Sequence, residues 1–495
     1  MKHDDGTGRR RFLRGAASLA GGAVLASTFS RVKMFAQDPP TCPTPPSGGA
    51  HFVPGSDTRP ITLRKSIGSL SPAELTQIKN AYAALRALPA TDKRTWILQA
   101  DMHALYCAQC TDSVMDIHGS WSFFPWHRAY LYYYERILGS LVGDLAHFRL
   151  PYWDWENIRS LPPGYNSPSN ATNSLWDAKR NATLAGGGTL PVTDGTQARI
   201  NTLYGITDFA TFGGDAGTGG SVEANPHGTI HNDTGQSASP WEDMGNLGYA
   251  ARDPIFFAHH DNIDKLWSGW NDLASGGGLP PNAYKNPTDP AFLNMRWSFY
   301  DETQALVSIS AADVLDHNNH LRYTYKAPTF VIPHFVYLLE CELICCIPGP
   351  DPGPFLQVSE KVREEVLTEV KQQTEMVLVL EGVTVPAGIT GNLDVFAVRE
   401  DRRVNLGSIG LIAHAANAGQ EHKHENRPMN LVLDITAVAA DLLAKEKPAT
   451  LRVFKRPAEI VGRGVEAERL RANQKLEEPF QLKARRAEIR ISRKK

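Results

Sequence analysis

The sequence predicts a mainly α-helical N-terminal domain followed by a smaller, mostly β C-terminal domain. Three observations carry that reading. The pattern is helical from Ser71 onward and again over 253–273. A proline- and glycine-rich stretch, IPGPDPGPF at 347–355, then interrupts the chain. Beyond it, strand-like runs appear at 376–380, 393–398, 429–435 and 451–454. At 495 residues the chain is too long for one ordinary core, and 42% hydrophobic residues suffice for more than one. A net charge of −2 gives no global field that would favour nucleic acid or an anionic membrane.

The elements follow in order. Residues 1–36 read as a signal peptide, outside the fold. Arg9-Arg10-Arg11-Phe12-Leu13-Arg14 has the twin-arginine pattern, and a weakly apolar run over 15–27 is too short for a permanent anchor. Ala36 offers a cleavage site, so the mature chain is expected to begin near Gln37 and to reach the periplasm or the exterior. No other segment is long and apolar enough to cross a membrane. Residues 37–60 read as an extended arm. Ser71-Pro72-Ala73-Glu74 starts a helix with a capping serine, a proline in first position and an acid in the first turn. Further helices are expected over 92–107 and 126–142, and a mostly irregular insertion over 158–222. The boundaries drawn are 37–330 for the helical domain, 331–357 for a linker and 358–495 for the β domain. The domain ends in a locally basic stretch, 483–495, read as a solvated tail.

The histidines carry the chemistry. There are sixteen, and an isolated one is usually a packing or surface residue. His227 and His231 stand four apart, which on a helix places both imidazoles on one face. Asp253-Pro254 opens a helix through Trp267 on which His260 supplies a third ligand, with Asp264 on the same face as an acceptor able to orient imidazoles. His259 points about a quarter turn away and reads as a packed residue. A second set follows from His127 at the head of an aromatic-rich helix, His118 on the loop before it and His103 on the preceding helix. Two sets of three neutral imidazoles suit copper or another late first-row ion, and three ligands leave positions open. Zinc is the rival on ligand type and would make a hydrolase, but no His-Glu-x-x-His accompanies the pairs.

The segments 118–135 and 253–264 resemble the two signatures of the tyrosinase, catechol oxidase and molluscan haemocyanin superfamily. Tyr132-Tyr133-Tyr134-Glu135-Arg136, Pro151-Tyr152-Trp153-Asp154-Trp155, Met244-Gly245-Asn246 and the 299–302 region are similar to the plant polyphenol oxidase branch, and Gly391-Asn392-Leu393-Asp394-Val395 is more weakly similar to the C-terminal domain of its members. The resemblance implies a four-helix bundle around a type-3 dicopper centre, a plant-like extension over about 285–330, and a sandwich-like β domain that shields the site. It implies copper A on His103, His118 and His127, and copper B on His227, His231 and His260. It implies dioxygen as co-substrate, small phenols as substrates, and oxidation of o-diphenols, with o-hydroxylation of monophenols open. Latency until proteolysis near 347–357 is expected, so an activating protease is an expected partner; a copper chaperone is left open.

The same resemblance assigns Cys107 a thioether to His118. Reading Cys107-Ala-Gln-Cys110 as a redox or zinc motif is the alternative. Of the six cysteines, Cys42 with Cys110 is the suggested disulfide, and Cys341, Cys345 and Cys346 cluster before the linker. Glu223 matches a glutamate that holds a water at the site, or is a loop carboxylate. Some monophenol-active members have asparagine after the first copper B histidine; here Gly228 stands there, and Asn232 follows His231. Leu247 matches a gate residue over copper A, or is a core leucine. Reversible dioxygen binding of the haemocyanin type is the rival function.

Overall fold

The computed structural model describes residues 45–107, 117–235, 243–275, 279–327, 333–344, 354–386, 389–400, 402–413, 427–456 and 482–492. The twin-arginine segment, Cys42, Cys110, Cys345 and Cys346 lie outside the described residues, so the suggested disulfide does too. Residues Pro39–Lys495 form one compact unit.

Its helical half is built on five helices: α1 Pro72–Arg86, α2 Trp96–Tyr106, α3 Phe123–Leu141, α4 Gly228–Thr234 and α5 Ile255–Asp272. Local sequence sets their starts. The Ser71 hydroxyl accepts from the Glu74 amide while the Glu74 carboxylate accepts from the Ser71 amide at 2.8 Å, a complete capping box for α1. Thr95 caps α2 by accepting from Leu98 N. Asp253 accepts from Ile255 N at 2.9 Å at the head of α5 and also pairs with Arg180 at 2.6 Å. Arg180 belongs to the insertion expected over 158–222, which carries four short helices and is pinned to the core by that ion pair. Helix α3 is buried along almost its whole length, and its aromatic residues join α5 in one core.

Charge also sits inside this core. Arg64 donates to Glu135 on α3 at 2.8 Å and to Asp261 on α5 at 2.6 Å, all three fully buried. Asp264 accepts from Arg128 at 2.6 Å, Tyr323 at 2.6 Å and Tyr325 at 2.8 Å. Its expected task, orienting imidazoles, is therefore corrected: its oxygens face guanidinium and phenol donors, which outcompete a neutral imidazole for a buried carboxylate.

Among the described residues the second half has eight strands: β1 Phe335–Ile344, β2 Phe355–Gln357, β3 Met376–Val383, β4 Gly391–Arg399, β5 Arg402–Leu411, β6 Met429–Asp434, β7 Thr450–Lys455 and β8 Arg486–Ser492. They form a five-stranded antiparallel sheet, β6-β3-β8-β1-β2, and a three-stranded one, β5-β4-β7. Between them lies a separate core that includes Leu380, Val395, Ile409, Val453 and Ile489. Two expectations are corrected here. The stretch read as a basic tail supplies β8, the central strand of its sheet, because Ala487, Ile489 and Ile491 alternate toward that core. Arg490, the charge that hid this alternation, is buried against Glu488, Asp208 and the Thr211 hydroxyl. The region read as linker contains all of β1, paired to β8 and β2.

Candidate metal centre

Helices α2, α3, α4 and α5 bring the histidines together. His103 lies on α2 and His127 on α3, with His118 on the loop between these helices. His231 lies on α4, and His227 in the wide helical turn Glu223–His227 that leads into it; their rings are 4.6 Å apart, on one face as expected. His259 and His260 lie on α5. The buried ring nitrogens converge in two groups, one of His103, His118 and His127, the other of His227, His231, His259 and His260. The groups adjoin: the rings of His127 and His260 stack at 4.2 Å with 7° between their planes.

Backbone carbonyls orient most of these rings. Nδ1 of His103 donates to Leu247 O at 2.8 Å, that of His127 to Phe123 O at 2.7 Å, that of His227 to Glu223 O at 3.2 Å and that of His231 to Met244 O at 2.9 Å. A neutral ring that donates through Nδ1 presents a bare lone pair at Nε2. Nε2 of His127 and of His227 are buried without a hydrogen-bond partner, and Nε2 of His231 and His260 face each other at 3.1 Å. Lone pairs so placed need a cation between them or a proton on one. Burial, with neighbouring imidazoles adding to it, holds His227 and His260 well below the usual imidazole range; burial lowers His127 to about 3 and His231 to about 4. These four rings are thus held neutral, as metal ligands must be, and the two groups of imidazoles fit two copper ions.

The other residues singled out in the sequence are placed as follows. Glu223 accepts from Gly119 N at 2.7 Å, which ties the turn before α4 to the loop carrying His118. Leu247 is buried and serves the site through its carbonyl on His103. Asn232 is buried, and its amide donates to Asn392 Oδ1 at 3.0 Å, across to β4. Cys107 caps α2, with its sulfur 2.8 Å from His103 O and 3.4 Å from His103 Nδ1, while the His103 and His118 rings are 5.1 Å apart.

Three contacts went unseen in the sequence. Asn392 also donates to Thr229 O and Asp233 Oδ1 on α4. Arg456, fully buried, bridges Asp194 and Asp233 of the helical half to Asp394 of the β half. Trp155 donates to His259 Nδ1 at 3.1 Å. Asp394 lies 62 residues from Arg456 and every other partner more than 100 residues away along the chain, so no local pattern signals the pairing.

Comparison with known proteins places this arrangement. The tyrosinase common central domain matches residues 93–203 and 165–273, and the polyphenol oxidase middle domain matches residues 286–330. The latent chloroplastic polyphenol oxidase of Prunus armeniaca is 36% identical over 323 residues, 58% of this chain and 52% of that protein. Polyphenol oxidase A1 of Vicia faba is 30% identical over 451 residues, 78% of this chain and 72% of that protein. The chain spans about half the length of several of these curated relatives. Latent apple tyrosinase superposes with a TM-score of 0.59 at 25% identity, covering 90% of this chain and 99% of that one. A functional unit of octopus haemocyanin shares the fold, with a TM-score of 0.51 at 20% identity over 85% of this chain and 99% of that one. With two adjoining groups of buried histidines and matches along most of its length, the chain belongs to the tyrosinase and polyphenol oxidase family of type-3 dicopper proteins.

Proposed function

We propose that this protein oxidises o-diphenols to o-quinones with dioxygen, and that it is latent while its β half is docked. The observation that carries the proposal is the stacked pair His127 and His260, which joins two sets of oriented, neutral rings into one site. His103, His118 and His127 would hold one copper, and His227, His231 and His260 the other. Bound copper would supply the one-electron changes that let dioxygen accept electrons from the phenol. Two o-diphenols give four electrons and four protons to one dioxygen, leaving two o-quinones and two waters.

The chain's own groups do the rest. Carbonyls of Phe123, Glu223, Met244 and Leu247 fix the rings in the tautomer that binds metal. Cys107, one turn after His103, is placed to restrain the first set, and a thioether to His118 would do so covalently. Glu223 braces the His118 loop through Gly119, and the water-holding role falls to the same carboxylate. Gly228 offers no amide to polarise such a water, so diphenols rather than monophenols are the expected substrates. Export by the twin-arginine route suits a metal site that is filled before the folded chain leaves the cytoplasm.

Oxygen uptake by copper-loaded protein, residues 37–495, tests the reading with a simple catechol and then tyrosine, before and after limited proteolysis. Uptake with the catechol that rises once proteolysis releases the β half is expected, with little from tyrosine. No uptake under any condition with two coppers bound would overturn it and shift the weight to reversible dioxygen binding. Equal rates before and after release of the β half would remove the latency.

A further inference from the structure

Four imidazoles, not three, surround the second metal position: His227, His231, His259 and His260 offer nitrogens within 4.8 Å of one another, all buried. Distance alone does not decide which three would bind. The hydrogen bond at His259 does. An indole N–H can only donate. Trp155 Nε1 lies 3.1 Å from His259 Nδ1, so that nitrogen accepts, and a neutral ring must then carry its proton on Nε2. His227 and His231 are wired the opposite way, donating through Nδ1 and leaving Nε2 bare.

We infer that Trp155 is a positioning residue that locks His259 in the non-ligating tautomer and so limits the second copper to His227, His231 and His260. The inference rests on the dicopper reading above. Trp155 is held so that it cannot turn aside. Trp153 N donates to Ala258 O at 2.8 Å, fastening this segment to the turn of α5 that presents His259. Trp155 N donates to Trp153 O at 2.8 Å, and Arg159 donates to Trp155 O at 2.8 Å. Gly195, at φ +57°, lies so close that a Cβ there would meet the indole at 2.9 Å and Ile230 at 2.8 Å. The indole is fully buried in this clamp. The consequence is functional: a fourth imidazole would fill the position that dioxygen or substrate needs.

The test begins with metal-free full-length protein carrying 15N-labelled histidine. Ring correlations, with His259 identified by comparison with His259→Gln, report its tautomer. A proton on Nε2 is expected; a proton on Nδ1 would overturn the inference, and this measurement needs no variant of Trp155. The second arm compares copper-loaded wild type and Trp155→Phe by X-ray absorption. The imidazole count per copper is expected to rise in the variant, and an unchanged count would count against the lock. Should the wild type bind no copper, the dicopper reading fails while the tautomer result still stands.

Discussion

Asp264 lies one helical turn beyond His260, where a carboxylate would be well placed to orient an imidazole, yet guanidinium and phenol groups claim its oxygens. Burial works against the charged form, and Arg128 and Arg64 more than offset it, holding the carboxyl below its usual range. The task is structural: Asp264 fixes Arg128, the neighbour of His127, against α5. Asp264→Asn would strand Arg128 in the core, and a loss of roughly 3–5 kcal/mol is expected in denaturant unfolding; a loss under about 1 kcal/mol would show that water or relaxation replaces the carboxylate. His317 gives a pH prediction of its own. Burial, with Arg128 nearby, lowers its folded pKa to about 3, and its Nε2 is 3.1 Å from the Ser268 hydroxyl. The unfolded chain binds that proton near the ordinary value of about 6.5. Between these values the unfolded state holds more protons, so the contribution is full above about pH 6.5 and is lost as the pH falls toward 3. His317→Gln should flatten the acid limb of stability against pH by up to roughly 1.4 kcal/mol per pH unit. Parallel limbs for the two proteins would refute it.

At the scale of elements, the crossing of α4 and β5 explains a glycine that the sequence left as a departure from the monophenol-active pattern. A Cβ on Gly228 would stand 2.5 Å from Gly410 O, and one on Gly410 would stand 2.0 Å from Gly228 C. Two backbones touch here, and neither position admits a side chain while β5 is docked. Gly410→Ala should cost about 1–3 kcal/mol as the strand is pushed off the copper B helix. Gly217→Ala, which would meet nothing within 4 Å, is the control and should stay within about 0.5 kcal/mol; equal unfolding midpoints for both would show that the crossing yields freely. Helix starts were legible where period and caps agree: Ser71 and the Asp253-Pro254 pair mark starts that the structure keeps within a residue or so, whereas the helix expected from residue 92 begins at Trp96, after its Thr95 cap. The strands at Met376–Val383, Gly391–Arg399, Met429–Asp434 and Thr450–Lys455 were legible as β-branched runs. β8 was not, because Glu488 and Arg490 look solvated until Asp208, some 280 residues earlier, is brought beside them. Separation also hid Asn392 from Asn232, 160 residues apart, and Asp394 from Arg456, 62 apart.

For the whole molecule, the two halves are joined by more than a tether, and this changes what cleavage can do. Arg456 reaches from β7 into a pocket of three aspartates, two of them in the helical half, and Asn392 clasps α4. Chain connectivity adds to this. β1 follows directly from the helical half, yet in the sheet it lies between β8, which comes from beyond the region expected to be cut, and β2, which forms the far end of that region. Its pairing to β8 runs from Ala487 opposite Cys341 to Ser492 opposite Phe335. A single cut within 345–353 would therefore leave β1 on the helical fragment, still hydrogen-bonded into the other fragment's sheet. Such a nick should give two bands on a denaturing gel but one particle by gel filtration under native conditions, with catechol oxidation still low. Cutting before Phe335 lets β1 stay with its sheet and leaves the Arg456 bridge and the Asn392 contacts as the remaining hold, so that cut in an Arg456→Met protein should separate the halves and raise oxygen uptake. Prompt dissociation and full activity after a cut confined to 345–353 would show instead that the pairing of β1 with β8 and the Arg456 bridge do not hold the halves together.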